Sequence, residues 1–324
     1  MLLDTGHMTN PSPLEHLFRY LRAFEVAYLS GDWTVLDAHF SETARHRVEG
    51  GGPFGSGGVG RAAVIAGLRA GVDAIDRRFD LRIPEVTLGP VTRGDGVWMR
   101  FALTLRRAGI PDLRVEGTDL MVLRDGRIEA LEERLAPGDA EKVEAYLAEF
   151  GERLRPAGSP FALPATAADR EQLDAAIGRS LVRCYGAAKS QQDVDAALSL
   201  CSEDFSIETV AFGVASQDRK QTEQQLALFF RTFPDYAVTL EGFATGAGTV
   251  ACWGRARMTF DGDFLGQRAT GKTADLPIFC VFACEGGVLR SERFFFDLAA
   301  LCEQIEVPVA NLSDALRPLR EARG

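Results

Sequence analysis

Apolar residues fall at helical spacing over residues 14–29, LEHLFRYLRAFEVAYL, with Leu14, Leu17, Phe18, Leu21, Phe24 and Tyr28 on one face. Gly31-Asp32 stops that helix, and Asp32 can cap a second one, WTVLDAHF. A strand is predicted near 44–49, then a glycine-rich loop, GGGPFGSGGVG, and a third helix over RAAVIAGLRAGVDAI. The pattern then turns to strand-like segments near 81–88, 96–106, 113–123 and 127–135, separated by turn signals such as Arg-Gly-Asp-Gly and Arg-Asp-Gly-Arg. Three helices followed by antiparallel strands predict an α+β layout, with helices packed on one face of a curved sheet.

The same order then recurs. Helices are predicted over 171–189, 193–200 and 217–231, a strand over 204–211, and further strands near 236–244, 248–260, 270–284 and 288–297. Asp32 and Asp193, like Phe40 and Cys201, are 161 residues apart, and Gly126 and Gly286 are 160 apart. The offset falls to 153 at Val97 and Val250. The first copy therefore has about eight more residues in its glycine-rich loop, and the second about seven more in its central hairpin at 260–266. A repeat this long is a duplicated domain, since solenoid units run to roughly 20–50 residues. Residues 139–154 read as a terminal amphipathic helix, and 155–169 form a Pro- and Ala-rich linker. The predicted boundaries are 10–154 for the first domain, 155–169 for the linker, 170–310 for the second domain and 311–324 for a tail.

Composition narrows the function classes. A net charge of −10 over 324 residues leaves no basic footprint for nucleic acid. No stretch approaches the ~20 apolar residues of a membrane span. The N-terminus, MLLDTGHMTNPSP, does not read as a secretory signal, and the start is open between Met1 and Met8. All six cysteines lie in the second half without a CxxC, which predicts buried free thiols and a cytoplasmic setting. The run Gly55–Gly60 matches GxGxxG but lacks a βαβ setting, and the histidines show no metal-ligand spacing, so neither a cofactor nor a metal is expected.

The element order, once per copy, resembles the NTF2-like superfamily and, within it, the SnoaL-like polyketide cyclases and ketosteroid isomerases. The most specific local matches are in the second copy: Phe233-Pro234-Asp235-Tyr236 before a strand, and the ending that runs from Phe296-Asp297 to Gln304-Ile305. The resemblance implies two tandem cone-shaped α+β barrels, each a curved antiparallel sheet with three helices and a pocket at its open end. It also implies contact between sheets. That predicts a pseudo-dimer of the two halves and leaves a homodimer open.

Candidate chemistry centres on the second copy. Tyr185 stands where ketosteroid isomerases carry their oxyanion-stabilising tyrosine, while the first copy has Phe24 there. A phenol at that place can donate to a developing enolate. In RSERFFFD, Arg290 and Glu292 alternate, which puts Leu289, Ser291, Arg293, Phe295 and Asp297 on the other face. Asp297, among phenylalanines, is the candidate acid/base, where the resemblance also implies one; it is equally a helix N-cap. The catalytic-aspartate positions of ketosteroid isomerases are Thr209 and Val48, and those of their second acid are Ile278 and Thr118. The second copy holds no histidine, so Arg255, Arg257 and Arg293 are the candidate positive charges. Thr209, Phe295 and Asp235 complete its predicted pocket. In the first copy, His46 and Glu116 are the candidate pair.

These readings predict a cofactor-independent cyclase, isomerase or lyase of secondary metabolism acting on a hydrophobic, polyketide-like small molecule. Two rivals are an epoxide hydrolase or epoxide-opening cyclase, favoured by a carboxylate pair in one cavity, and a non-catalytic binding or assembly module. The Tyr185/Phe24 and Thr209/Val48 differences predict the more polar pocket in the second copy.

Overall fold

The first helix, α1 (Pro13–Ser30), starts where Ser12 accepts a hydrogen bond from the Glu15 amide and stops at Gly31, whose φ of 78° suits a residue without Cβ. The structure is a computed structural model that describes residues 11–50, 54 and 57–321. A short 3₁₀ turn at Trp33–Leu36, capped by Asp32, stands where a second helix was expected. Then come β1 (Phe40–Glu49), β2 (Gly58–Val59), α2 (Arg61–Ala74), β3 (Leu81–Arg93), β4 (Gly96–Arg106), β5 (Leu113–Arg124), β6 (Arg127–Leu135) and α3 (Asp139–Phe150). The β5–β6 turn has positive φ at both Asp125 and Gly126, the backbone a tight right-twisted hairpin needs.

The second half repeats the series as α4 (Ala167–Ser190), α5 (Val194–Ser199), β7 (Cys201–Thr209), β8 (Val214–Ala215), α6 (Arg219–Thr232), β9 (Ala237–Gly246), β10 (Thr249–Thr259), β11 (Thr273–Glu285), β12 (Val288–Phe295) and α7 (Leu298–Gln304). Residues expected as a tail instead form α8 (Val309–Glu321), with Leu312 and Leu316 buried. The two six-stranded sheets have the same order, β2-β1-β6-β5-β4-β3 and β8-β7-β12-β11-β10-β9. In each, one parallel pair (β1 with β6, β7 with β12) joins otherwise antiparallel strands. The α+β expectation holds in both copies.

The halves join through α4, where sheet-to-sheet contact was expected. This helix lies along the edge strand β3 of the first sheet and the edge strand β9 of its own. Ser180 Oγ accepts the Val86 amide of β3 at 2.9 Å and donates to the Ala176 carbonyl one turn back. Ten residues on, Ser190 Oγ accepts the Val238 amide of β9 at 3.0 Å and donates to the Gly186 carbonyl. Arg183 Nε donates to the Thr87 carbonyl, and Gln191 exchanges hydrogen bonds with Thr92 and Pro90. Arg179 grips Glu85 through two hydrogen bonds of 2.8 and 2.7 Å. Burial alone would raise the Glu85 pKa, but Arg179, aided by Arg183, outweighs it and holds the carboxyl below its usual range. One helix thus satisfies the polar groups that two sheet edges would otherwise leave unpaired.

Ser180→Ala leaves the Val86 amide without its acceptor and should cost about 1–3 kcal/mol. Ser190→Ala should do the same at Val238. Urea unfolding of both variants checks this; wild-type stability in both would show that these caps do not hold the edges.

Candidate active site

A cavity of about 190 Å³ opens inside the first half, walled by Leu21, Phe24, Phe54, Leu68, Val72, Phe101, Leu103, Val115, Leu131 and Leu135. Into it reach Tyr20 from α1, His46 from β1, Asp119 from β5 and Glu133 from β6, with Glu25, Asp76 and Arg82 forming a second polar group. Strand phase places them. Along β5, Leu113, Val115, Gly117 and Met121 are buried, so Asp119 falls on the inward phase. Along β6, Leu131, Glu133 and Leu135 share that face. Register sets Asp119 directly opposite Glu133, where cross-strand Cβ atoms lie roughly 4.5–5.5 Å apart. The glycine-rich loop presses on the strand that carries His46: a Cβ on Gly57 would lie 1.9 Å from the His46 carbonyl oxygen. Gly55 and Ser56 of that loop lie outside the described residues.

His46 is buried, and its Nε2 meets Glu133 Oε1 at 3.2 Å. A carboxylate can only accept, so the imidazole proton sits on Nε2 and donates. Nδ1 is buried without a partner among the described residues. Asp119 Oδ1 is likewise shut off from solvent and unpartnered. Burial, and then the negative charge of Glu133, push the Asp119 pKa well above the ordinary carboxylate range. Asp119 therefore keeps its proton and can donate it in a hydrogen bond. Tyr20 is pushed up by burial and then by Glu133 and Asp119, so its hydroxyl also remains a donor. Elsewhere in the lining Arg82 donates to Asp76 at 2.8 Å and to Glu25 at 2.7 Å. Burial raises the Asp76 pKa despite that ion pair.

The second half is built differently. Tyr185 and Glu292 are each 1% exposed. The Tyr185 hydroxyl donates to Glu292 Oε2 at 2.8 Å, and Lys189 Nζ donates to both oxygens at 2.9 and 3.1 Å. Burial would lower the Lys189 pKa, but the Glu292 charge overrides it and raises it. The space beside this network is only about 20 Å³. Tyr185 is thus a core tyrosine whose hydroxyl is already engaged.

Register makes the two halves comparable. His46 pairs with Leu131 and Val48 with Glu133; Ile207 pairs with Glu292 and Thr209 with Phe294. Asp119 lies opposite Glu133, and Cys280 lies opposite Phe294. The second half therefore carries Ile207, Phe294 and Cys280 where the first carries His46, Glu133 and Asp119. The expectation of a more polar pocket in the second copy is reversed.

The other predicted site residues separate accordingly. Asp297 is exposed and caps α7, its Oδ1 accepting from Ala299 and Ala300. It lines none of the described cavities. The reason is register: β12 slips against both neighbours at its start, and this turns Glu292 and Phe294 inward. Arg293 and Phe295 then lie on the outer face, Arg293 bonded to Glu208 and stacked over Phe295. Arg255 and Arg257 are also outward, paired with Asp275 and Asp235. Asp235 accepts from the Thr259 amide and hydroxyl. Thr209 is buried and accepts from Gln225 Nε2 at 3.1 Å. His46 reaches a cavity as expected, but Glu116 is on the outer face with Arg114, so Glu133 takes the place foreseen for it. Tyr20, Asp119 and Glu133 were missed; an acid in phase with Leu113, Val115 and Met121, and another between Leu131 and Leu135, were the available signals.

Among the described residues no three His, Cys, Asp or Glu gather as a metal site, and no helix is long and apolar enough to cross a membrane.

Each half matches a SnoaL-like family model. The SnoaL-like domain model matches residues 19–131, and the SnoaL-like polyketide cyclase model matches residues 179–305. The chain belongs to the SnoaL-like family as a tandem of two such domains. Among solved structures, a candidate SnoaL-like polyketide cyclase from Jannaschia sp. CCS1 is 23% identical, covering 41% of this chain and 92% of its own, with a TM-score of 0.37. A candidate polyketide cyclase from Pseudomonas putida KT2440 is also 23% identical, covering 39% and 96%, with a TM-score of 0.35. A protein of ketosteroid isomerase-like fold from Catenulispora acidiphila DSM 44928, solved with trimethylamine, is 16% identical, covering 40% and 95%, with a TM-score of 0.37. No curated protein matches the chain.

The raised Asp119 pKa makes a signed prediction. A group with a raised native pKa stabilises the fold fully below its unfolded pKa of about 3.9, and that contribution is lost as pH rises through the native value. Asp119→Asn cannot ionise, so its stability relative to wild type should climb steadily above about pH 4. Thermal melts across pH check this; a difference that does not change with pH would place Asp119 in the ordinary range.

Proposed function

We propose that the first domain is the working site of a cofactor-independent acid/base enzyme acting on a hydrophobic carbonyl compound about one ring in size. The observation that carries this reading is the facing pair Asp119 and Glu133, in which burial and its carboxylate neighbour hold Asp119 protonated while Glu133 is hydrogen-bonded to His46. Pairs whose environments push their pKa values apart supply an acid and a base in one site. Glu133, steadied by His46, takes a proton from the carbon beside the carbonyl. Asp119 and Tyr20 donate hydrogen bonds to the oxygen where charge develops. The enolate is then protonated at another carbon, attacks a second carbonyl, or expels a leaving group, which gives isomerisation, cyclisation or elimination. A cavity of about 190 Å³ suits one substituted ring, since an apolar cavity of ~150 Å³ holds benzene. A polyketide-derived ketone is the substrate class the family suggests, and six free cysteines suit the cytoplasm.

A second reading has its own support. A carboxylate pair and an Arg82–Asp76 ion pair share this cavity, and epoxide opening uses such groups: Glu133 would activate a water or hydroxyl while Asp119 protonates the epoxide oxygen.

Both readings are tested with small ring substrates. Conversion of 3-cyclohexenone to 2-cyclohexenone and hydrolysis of cyclohexene oxide are followed by NMR. One of the two should be accelerated. Glu133→Gln should lower that rate by roughly 10²–10⁴ and Asp119→Asn by roughly 10²–10³, while Asp297→Asn leaves it unchanged. Loss of activity in Asp297→Asn with full activity in Glu133→Gln would overturn the assignment.

A further inference from the structure

The first-domain cavity is short of positive charge. Glu25, Asp76, Asp119 and Glu133 line it, against one guanidinium, Arg82, and one imidazole, His46. The second half has no such surplus in its buried network. There one carboxylate, Glu292, is met by one ammonium, Lys189. The same ammonium lies over the rings of Tyr185, Tyr236 and Phe294, at 5.0, 5.9 and 5.2 Å from their centroids. Its counterpart 161 residues earlier is Tyr28, so the first half brings no ammonium from that helix position.

We propose that the ligand of the first-domain cavity is a cation, a ring compound that bears a protonated or quaternary amine. The proposal rests on the reading of this cavity as the working site and narrows its substrate to an ammonium-bearing ketone or epoxide.

The hydrogen bonds assign the counter-charge. Arg82 donates to both Asp76 and Glu25, so one guanidinium serves two carboxylates and leaves one negative charge over. The Asp76 side chain is 8% exposed and that of Glu25 is 42% exposed, which makes Glu25 the carboxylate a ligand can reach. Glu133, bonded to His46, stays available as the base. The rings of Tyr20, Phe24, Phe54 and Phe101 line the same cavity. A ring face attracts an ammonium through its quadrupole, and more strongly where water is excluded. The second half shows both contacts made inside one cone by a group of the chain itself. A neutral ligand would leave the surplus charge of the first cavity unbalanced, and a carboxylate would add to it; an unpaired charge out of water is costly. Consistent with that crowding, Asp76 stays raised in pKa although Arg82 is bonded to it.

The probes are 4-(trimethylammonio)cyclohexanone and 4-tert-butylcyclohexanone, which share one shape and differ in having nitrogen or carbon at the quaternary centre. Dissociation constants for the full chain come from ligand-observed NMR. The cation should bind about tenfold tighter or better. Glu25→Gln keeps an oxygen for Arg82 but loses the charge. It should weaken the cation about tenfold and leave the neutral ketone unchanged. Circular dichroism confirms that the variant is folded. Equal affinities, no binding of the cation, or a preference that survives Glu25→Gln overturns the proposal. Exchange of the α-hydrogens in heavy water, followed in the same spectra, reports the acid/base reading separately. Exchange lost in Glu133→Gln, without any preference for the cation, keeps that reading and sinks this one. A Glu25-dependent preference without exchange does the reverse.

Discussion

A carboxyl group carried into an apolar cone must either pair its charge or keep its proton. The two halves of this chain take different courses. In the second half Glu292 is met by Lys189 and by the Tyr185 hydroxyl, and all its strong hydrogen-bonding capacity points inward. In the first half Asp119 is buried with Glu133 on the neighbouring strand and, among the described residues, no cation paired with it, so it holds its proton. Its donor is available to a molecule in the cavity. The assignment of a working site depends on this difference, because a paired carboxylate locked in a core does no proton transfer on a ligand.

The duplicated backbone makes the contrast readable as a substitution experiment. Strand order and the parallel pairing are common to both halves. Three inward positions change together, from His46, Asp119 and Glu133 to Ile207, Cys280 and Phe294. The second half gains Glu292 where the first has Leu131. The halves join mainly through α4, whose Ser180 and Ser190 each cap one sheet edge, with α1 also packed on α5 and Arg22 donating to the Ser199 carbonyl.

Much of the fold was legible because it rests on periodicity: helical spacing in α1 and α2, strand alternation in β3 to β6, and Asp-Gly at the β5–β6 turn. The site was less legible because a strand face depends on register. The slip at the start of β12 inverted the reading of RSERFFFD, hiding Glu292 and promoting Asp297. In β5, taking Glu116 and Thr118 as the inward face displaced Asp119, although Leu113, Val115 and Met121 already marked the opposite phase. His46 was found because a histidine in a strand is conspicuous wherever it points. The helical character of α8 was missed because Pro318 breaks its pattern.

The protonation state of Asp119 bears most directly on the account. Carbon-13 NMR of the side-chain carboxyl carbons, with Asp119 assigned by its loss in Asp119→Asn, gives that state as a function of pH. The account predicts that the Asp119 resonance still reports a protonated carboxyl at pH 7. A resonance that titrates near pH 4, as an ordinary aspartate does, would contradict it and remove the acid from the proposed pair.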